Sequence, residues 1–230
     1  MESTNTTGYF HIALMENLGG FSVASEMHGR FLQSGLYDAT DEINIVILGD
    51  KTQANFFIDY IVNTHKKYKL RFFDPNISLY EWPTLSCIYE DCKTSNNDVW
   101  YVHTKGASNC RPDVPARIQR NIRSWRGVMS YNVIGKHKLC KEILSEGIDA
   151  TGAFYQKEVN CFSGNFWWSK ASHIRSLKEP MGTRNEAELW VCTNPQAKYE
   201  SLYDFARLDI YDFENFYGEK GSLNYSPGSI

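Results

Sequence analysis

The run Ile43-Asn44-Ile45-Val46-Ile47-Leu48 is nearly all β-branched and ends abruptly at Gly49-Asp50. A strand that is apolar on both faces has to be covered on both, which is the environment of a parallel sheet between helices. The first half of the chain supplies the rest of that arrangement, because short β-rich runs alternate with helical stretches. Residues 9–15 read as a first strand, 21–33 as a helix closed by Gly35, and 52–64 as a helix after the apolar strand. Residues 69–73 make a third strand that stops at Asp74-Pro75, Pro83 opens a helix running to residue 91, and 99–102 make a fourth strand. Parallel strands all point one way, so Met15, Asp50, Asp74 and His103 fall on one carboxyl edge, where open α/β sheets hold their ligands. The expected fold class is α/β: a mixed, mainly parallel, Rossmann-like sheet flanked by helices.

The second half departs from strict alternation. Residues 115–144 read as a long helical region, 148–155 as a strand, 162–168 as an aromatic segment and 186–191 as a short helix. Beyond Pro195 the chain is acidic and tyrosine-rich, then fades into Gly, Ser and Pro. Residues 196–230 are therefore expected to be a tail, or a linker to further domains of a longer polypeptide. A chain of 230 residues is within the reach of one core, so one domain is expected over residues 1–195.

Charge and cysteine usage exclude several function classes. Twenty-four Lys and Arg against 27 Asp and Glu give a net charge of -3, which leaves no global cationic field for nucleic acid or an anionic membrane. No apolar run approaches the roughly 20 residues of a membrane-spanning helix, and the amino terminus lacks the marks of a signal peptide. The expectation is a soluble, cytoplasmic chain with no membrane span. The six cysteines contain no C-x-x-C pair, so they read as free thiols rather than a zinc knuckle or a disulfide framework.

Four segments carry residue types suited to chemistry. In Val99-Trp100-Tyr101-Val102-His103-Thr104-Lys105-Gly106-Ala107-Ser108 a buried strand runs directly into a cation, a hydroxyl and glycine, a combination that suits a diphosphate because glycine lets backbone N–H groups approach the oxygens. The competing reading is an ordinary strand followed by a solvated turn, with His103 a hydrogen-bonded structural histidine. In Cys161-Phe162-Ser163-Gly164-Asn165-Phe166-Trp167-Trp168 the rings offer platforms for a sugar and Asn165 a partner for hydroxyls, against the alternative of a core strand. Arg184-Asn185-Glu186-Ala187-Glu188-Leu189-Trp190 holds two carboxylates two residues apart, which puts them on different helix faces, so at most one of them acts on a given bond. Arg111, Arg117, Arg120, Arg123 and Arg126 form a row that drifts around a helix, enough to hold a phosphate but too narrow for a nucleic-acid footprint.

Taken in order, Leu36-Tyr37-Asp38, Ile47-Leu48-Gly49, Tyr101-Val102-His103-Thr104-Lys105-Gly106, Trp125-Arg126, Gly147-Ile148-Asp149 with Gly152, the Phe162 to Trp168 segment and the Arg184 to Trp190 segment resemble the small GT-A-type glycosyltransferases of bacteria and large algal DNA viruses. The H-T-K-G and F-x-G-N-F-W-W pieces are also similar to bacterial rhamnan-synthesis proteins. The resemblance spans roughly residues 9–190. It implies a nucleotide-sugar donor on the carboxyl edge of residues 1–110 and a glycan or glycoprotein acceptor bound by residues 111–195, in the cytoplasm of a host if the chain is viral. It mildly favours a uridine or thymidine donor, a UDP-sugar first, carrying glucose or a deoxyhexose such as rhamnose. Lys105, the Gly106 and Ala107 amides and an arginine would face the diphosphate, with Met15, Asp50 and Asp74 near base and ribose. Trp167 and Trp168 would shape the sugar pocket and Asn165 would bond hydroxyls, with His103, Thr104 and Arg184 also among the donor-binding residues. Glu188 is the first candidate for the base, with Glu186 and Asp149 as substitutes. Many GT-A enzymes place a D-x-D for Mn2+ or Mg2+ where this chain has His103-Thr104-Lys105, so two readings stand: Lys105 supplies the countercharge, or His103 and a carboxylate from elsewhere hold a divalent ion. Rival functions are a non-catalytic nucleotide- or glycan-binding module and nucleic-acid binding through the arginine-rich helix.

Overall fold

In the computed structural model, which describes residues 5–16 and 19–203, the chain runs β1 (Thr6–Leu14), α1 (Gly19–Gln33), α2 (Leu36–Ala39), β2 (Glu42–Gly49), α3 (Lys51–Phe57), β3 (Tyr68–Asp74), α4 (Trp82–Cys92) and β4 (Asp98–His103). It continues through α5 (Ala116–Ser130), α6 (His137–Ser145), β5 (Ala150–Ala153), β6 (Tyr155–Gln156), β7 (Cys161–Phe162), β8 (Trp167–Lys170), α7 (Ala171–Ser176), α8 (Arg184–Leu189) and β9 (Tyr199–Tyr203). Seven strands form one sheet in the order β3-β2-β1-β4-β8-β5-β9, and β6 pairs with β7 in a separate ribbon. β1 is parallel to β2 and β4, β2 to β3 and β5 to β9, while β8 alone runs antiparallel to both its neighbours. This is the mixed, mainly parallel, Rossmann-like sheet that the alternation predicts, and it has helices on both faces.

Strand alternation divides the aromatic residues between the two faces. Phe10, Trp100 and Trp168 pack in one core with Met27 and Phe31 of α1 and Met129 of α5. Tyr9, Tyr101 and Trp167 pack in the other with Leu85 and Ile88 of α4 and Ile174 of α7. Trp167 and Trp168 are therefore both fully enclosed, one in each layer. They do not line a sugar pocket. Trp168 donates its Nε1 proton to the Val133 carbonyl at 2.8 Å, and Trp167 donates its own to Asn165 Oδ1 at 2.8 Å.

Three expectations are corrected. The helical region 115–144 is broken, because α5 passes into a π-helical turn over Tyr131–Gly135 before α6 begins at His137. The strand expected over residues 148–155 ends at Ala153, since Phe154 takes a positive φ of 62° that turns the chain into the β6 and β7 ribbon. The tail expected from residue 196 begins too early: Tyr199–Tyr203 pairs with β5 and closes one side of the sheet. The remaining tail, residues 204–230, lies outside the described residues. No helix among the described residues is long and apolar enough to cross a membrane.

Candidate functional site

Every strand of the sheet except β8 ends on the same edge. The connections from β1 to β2 and from β3 to β4 carry the chain to opposite sides of β1, so the crevice of this sheet opens between the ends of β1 and β4. Thr104 staples the two strands just past their ladder: its Oγ1 accepts from the Ala13 amide at 2.9 Å, and its amide donates to the His11 carbonyl at 3.1 Å. Lys105 and Gly106 follow directly.

This turn is braced from behind. The buried Arg126 donates from Nη1 to the Lys105 carbonyl at 2.9 Å and from Nη2 to Glu26 at 2.7 Å. Burial alone would raise the Glu26 pKa, but Arg126 and Arg30 hold it below the usual carboxylate value. Gly106 sits at φ 84°, and a Cβ there would stand 2.2 Å from Ile122 Cγ2. Gly106→Ala is thus expected to cost about 1 to 3 kcal/mol and to lower the melting temperature by about 3 to 10 °C. Scanning calorimetry checks this, and an unchanged transition would mean that the turn relaxes freely. The Ala107 amide donates to Thr104 O at 3.1 Å to close the turn, so it is engaged internally and does not face a ligand as the sequence implied.

Lys105 Nζ lies 2.8 Å from Glu188 Oε1 and 4.4 Å from the centroid of the Trp125 ring. The Lys105 side chain is 17% exposed and that of Glu188 39%, so the pair borders solvent without being dissolved in it. α8 delivers Glu188 to this position. Its amino terminus carries a capping box in which Glu186 accepts from the Thr183 amide while the Thr183 side chain accepts in return. The amide bond holds the Glu186 carboxyl below its usual value.

Beneath the pair lies a polar cluster that sequence reasoning missed. Glu81, just before α4, accepts on Oε2 from the Tyr101 hydroxyl at 2.6 Å and from Asn165 Nδ2 at 2.5 Å, and its Oε1 stands 3.8 Å from His103 Nδ1. His103 Nε2 is 2.9 Å from the Gly164 carbonyl, and His11 Nδ1 is 2.8 Å from Thr84 Oγ1. Burial lowers the His11 pKa to about 4 against the opposing pull of Glu81, and burial likewise lowers that of His103. Burial would raise Glu81, but the imidazoles of His103 and His11, the Tyr101 hydroxyl and Lys105 together hold it down. Tyr101 is pushed well above its ordinary value by burial and by Glu81. Burial thus disfavours a proton on either imidazole, while Glu81, beside both, is drawn toward its charged form. A histidine inside the apolar run of β1 was the available signal, since a buried imidazole requires a partner; Glu81 itself reads only as an acid at a helix start.

The structure brings Lys105, Gly106, Glu188, His103 and Thr104 together, with Asn165 behind them fully enclosed, its amide bonded to Glu81, Ala187 and Trp167 rather than open to a sugar hydroxyl as expected. Other candidates stand elsewhere. Asp149 precedes β5, which is parallel to β4, so it lies on the opposite, amino edge, where it accepts from the Lys198 amide at 2.8 Å. Its assignment as a substitute base is corrected on that ground. Glu186 is an exposed helix cap, and Arg184 is exposed 5.9 Å over the Tyr80 ring. Met15, Asp50 and Asp74 are on the carboxyl edge at the ends of β1, β2 and β3. There the Met15 carbonyl accepts from Gln53 Nε2, Asp50 caps α3 through the Gln53 amide and Asp74 accepts from the Asn76 amide. In the arginine row, Arg126 turns inward while Arg111, Arg117, Arg120 and Arg123 are exposed.

The donor set at His103 does not suit a divalent ion held by the protein. A carbonyl only accepts, so Nε2 of the neutral ring carries the proton and only Nδ1 and Glu81 Oε1 remain as facing acceptors. Among the described residues no group of three or more His, Cys, Asp or Glu could share a metal.

No curated protein sequence matches this chain. In fold it is similar to the crystal structure of Rv0371c from Mycobacterium tuberculosis H37Rv, at 9% identity and a TM-score of 0.43, with 94% of this chain and 97% of that chain covered. It is also similar to the crystal structure of 4-diphosphocytidyl-2C-methyl-D-erythritol synthase, at 12% identity and a TM-score of 0.45, with the same coverage of 94% and 97%. Residues 25–211 match a domain of unknown function, DUF8361, and because that span is well over half of the chain, the protein belongs to the DUF8361 family.

Proposed function

We propose that this chain transfers a glycosyl group from a nucleoside-diphosphate sugar, a UDP-sugar first, to a hydroxyl of a glycan or glycoprotein. The observation that carries the reading is the Lys105 ammonium and the Glu188 carboxylate, 2.8 Å apart, above the Lys105-Gly106 turn at the carboxyl edge. A cation for a leaving diphosphate and a base for an attacking hydroxyl are the two groups that such a transfer requires.

In this reaction the acceptor oxygen forms a bond to the anomeric carbon as the bond from that carbon to the diphosphate oxygen breaks. The electron pair leaves with the nucleoside diphosphate, whose charge is met by Lys105 and the Gly106 amide. The acceptor proton passes to Glu188, the arrangement for inversion at the anomeric carbon. Lys105 provides countercharge without a metal ligand set, and Met15, Asp50 and Asp74 lie on the edge where base and ribose would extend.

The test is a thermal-shift panel of UDP, GDP and dTDP sugars, each with and without Mn2+, followed by assay of free nucleoside diphosphate. A UDP-sugar is expected to raise the melting temperature, because ligand binding to the folded form stabilises it, and to release UDP slowly even without acceptor. A shift with no release under any condition supports the binding-module alternative. No shift with any sugar nucleotide overturns the reading.

A further inference from the structure

We infer that Glu81 is a positioning residue that holds α8, and with it Glu188, against the Lys105 turn; the inference rests on the transfer reading above. Two donors from separate elements converge on one oxygen, the Tyr101 hydroxyl of β4 and the Asn165 amide of the turn before β8, both at Glu81 Oε2. The same Asn165 Nδ2 reaches the Ala187 carbonyl at 3.3 Å, one residue before Glu188, and Asn165 Oδ1 accepts from Trp167 Nε1 at 2.8 Å. One carboxylate therefore ties together the start of α4, β4, the turn into β8 and the helix that carries the base.

The backbone on both sides of this tie is unusual. Tyr80, next to Glu81, has φ 51° with ψ -137°, a conformation that residues other than glycine rarely adopt, while Asn165, at φ 58°, is of the type that takes the left-handed region most readily after glycine. Such conformations persist where the surroundings over-determine them, and they cluster at functional sites. A carboxylate only 16% exposed is also a costly way to fill space, since a well-packed apolar residue is often at least as stable in its place. Glu81 does not touch Glu188; it acts through the Asn165 amide.

The chemistry of the tie separates position from charge. In Glu81→Gln an amide oxygen can stand where Oε2 stands and accept both bonds, while its NH2 faces the His103 Nδ1 acceptor. In Glu81→Ala both donors lose their acceptor. The full chain and both variants are compared for UDP affinity by calorimetry, for UDP release from UDP-glucose, and for amide hydrogen exchange. Glu81→Ala is expected to lower kcat about 100-fold with KM and UDP affinity within about threefold, and to speed exchange in α8 while β1 to β4 stay protected. Glu81→Gln is expected to restore kcat to within about fivefold of the parent chain.

Three results overturn the proposal: Glu81→Ala keeping kcat, Glu81→Gln failing as badly as Glu81→Ala, or turnover, affinity and sheet protection collapsing together. If Glu81→Ala does not fold, Tyr101→Phe removes one hydroxyl from the tie. It is expected to lower kcat about fivefold at unchanged UDP affinity, and parental turnover then overturns the role of Glu81. If the parent chain releases UDP from no sugar nucleotide, the transfer reading fails, and α8 exchange still decides on Glu81: exchange in Glu81→Ala equal to the parent's overturns it.

Discussion

Replacing Lys105 with alanine is expected to weaken UDP binding by about 10- to 150-fold, the range that follows from a charged hydrogen bond of about 1.5 to 3 kcal/mol at about 1.4 kcal/mol per decade. The lower part of that range is set by competition. Lys105 is already engaged by Glu188 at 2.8 Å, so the diphosphate has to draw the ammonium away from a carboxylate before gaining it. The upper part reflects the setting, because a side chain only 17% exposed is less screened by water than a surface lysine. Stability should change little. The pair borders solvent, where such ion pairs contribute about 0 to 1 kcal/mol, and the contact with Trp125 contributes about as much again. Titration calorimetry with UDP and a melting curve separate the two effects. An unchanged dissociation constant removes Lys105 from the diphosphate position, and with it the main support for transfer at this edge.

The parts of this fold that were legible in the sequence are those whose information is local. Ile43 to Leu48 announces a doubly covered strand by composition alone, and the turn after β4 announces itself by Lys105 and Gly106, adjacent in the chain. What was not legible depends on pairing at a distance. The tie between Asn165 and Glu81 spans 84 positions and the ion pair between Lys105 and Glu188 spans 83, so no window of sequence contains either. The neighbours Trp167 and Trp168 were assigned to a pocket because aromatic residues beside glycine and asparagine suit sugars. Once the segment is a central strand, alternation sends the two rings to opposite cores. Asp149 failed for a related reason: only the direction of β5 in the sheet decides which edge the residue before it occupies, and that direction is set by the reversal of β8. Helix-face geometry separated Glu186 from Glu188 without choosing between them, yet the function of Glu186 as a cap was readable, since a threonine three residues before a glutamate is a common helix start.

Glu188→Gln should act in the opposite direction to Lys105→Ala on binding and far more strongly on turnover. If Glu188 accepts the proton of the attacking hydroxyl, its loss is expected to lower kcat by about 100- to 10,000-fold, the usual contribution of a positioned general base. UDP affinity should stay the same or rise by up to about fivefold, because glutamine no longer holds the Lys105 ammonium through an ion pair contributing up to about 1 kcal/mol and no longer repels the diphosphate. The contrast is diagnostic. A residue that merely supported the fold would lower affinity, turnover and melting temperature together, whereas these two substitutions are expected to separate binding from chemistry. The double substitution then reports on coupling: if Glu188 influences UDP only through Lys105, adding Glu188→Gln to Lys105→Ala should leave UDP affinity where Lys105→Ala alone set it. Calorimetry on the four chains, with UDP release measured in parallel, gives both quantities. Near-parental turnover in Glu188→Gln at unchanged donor affinity would exclude this carboxylate as the base, and the search for a proton acceptor would move to groups that only a bound acceptor brings to the Lys105 turn.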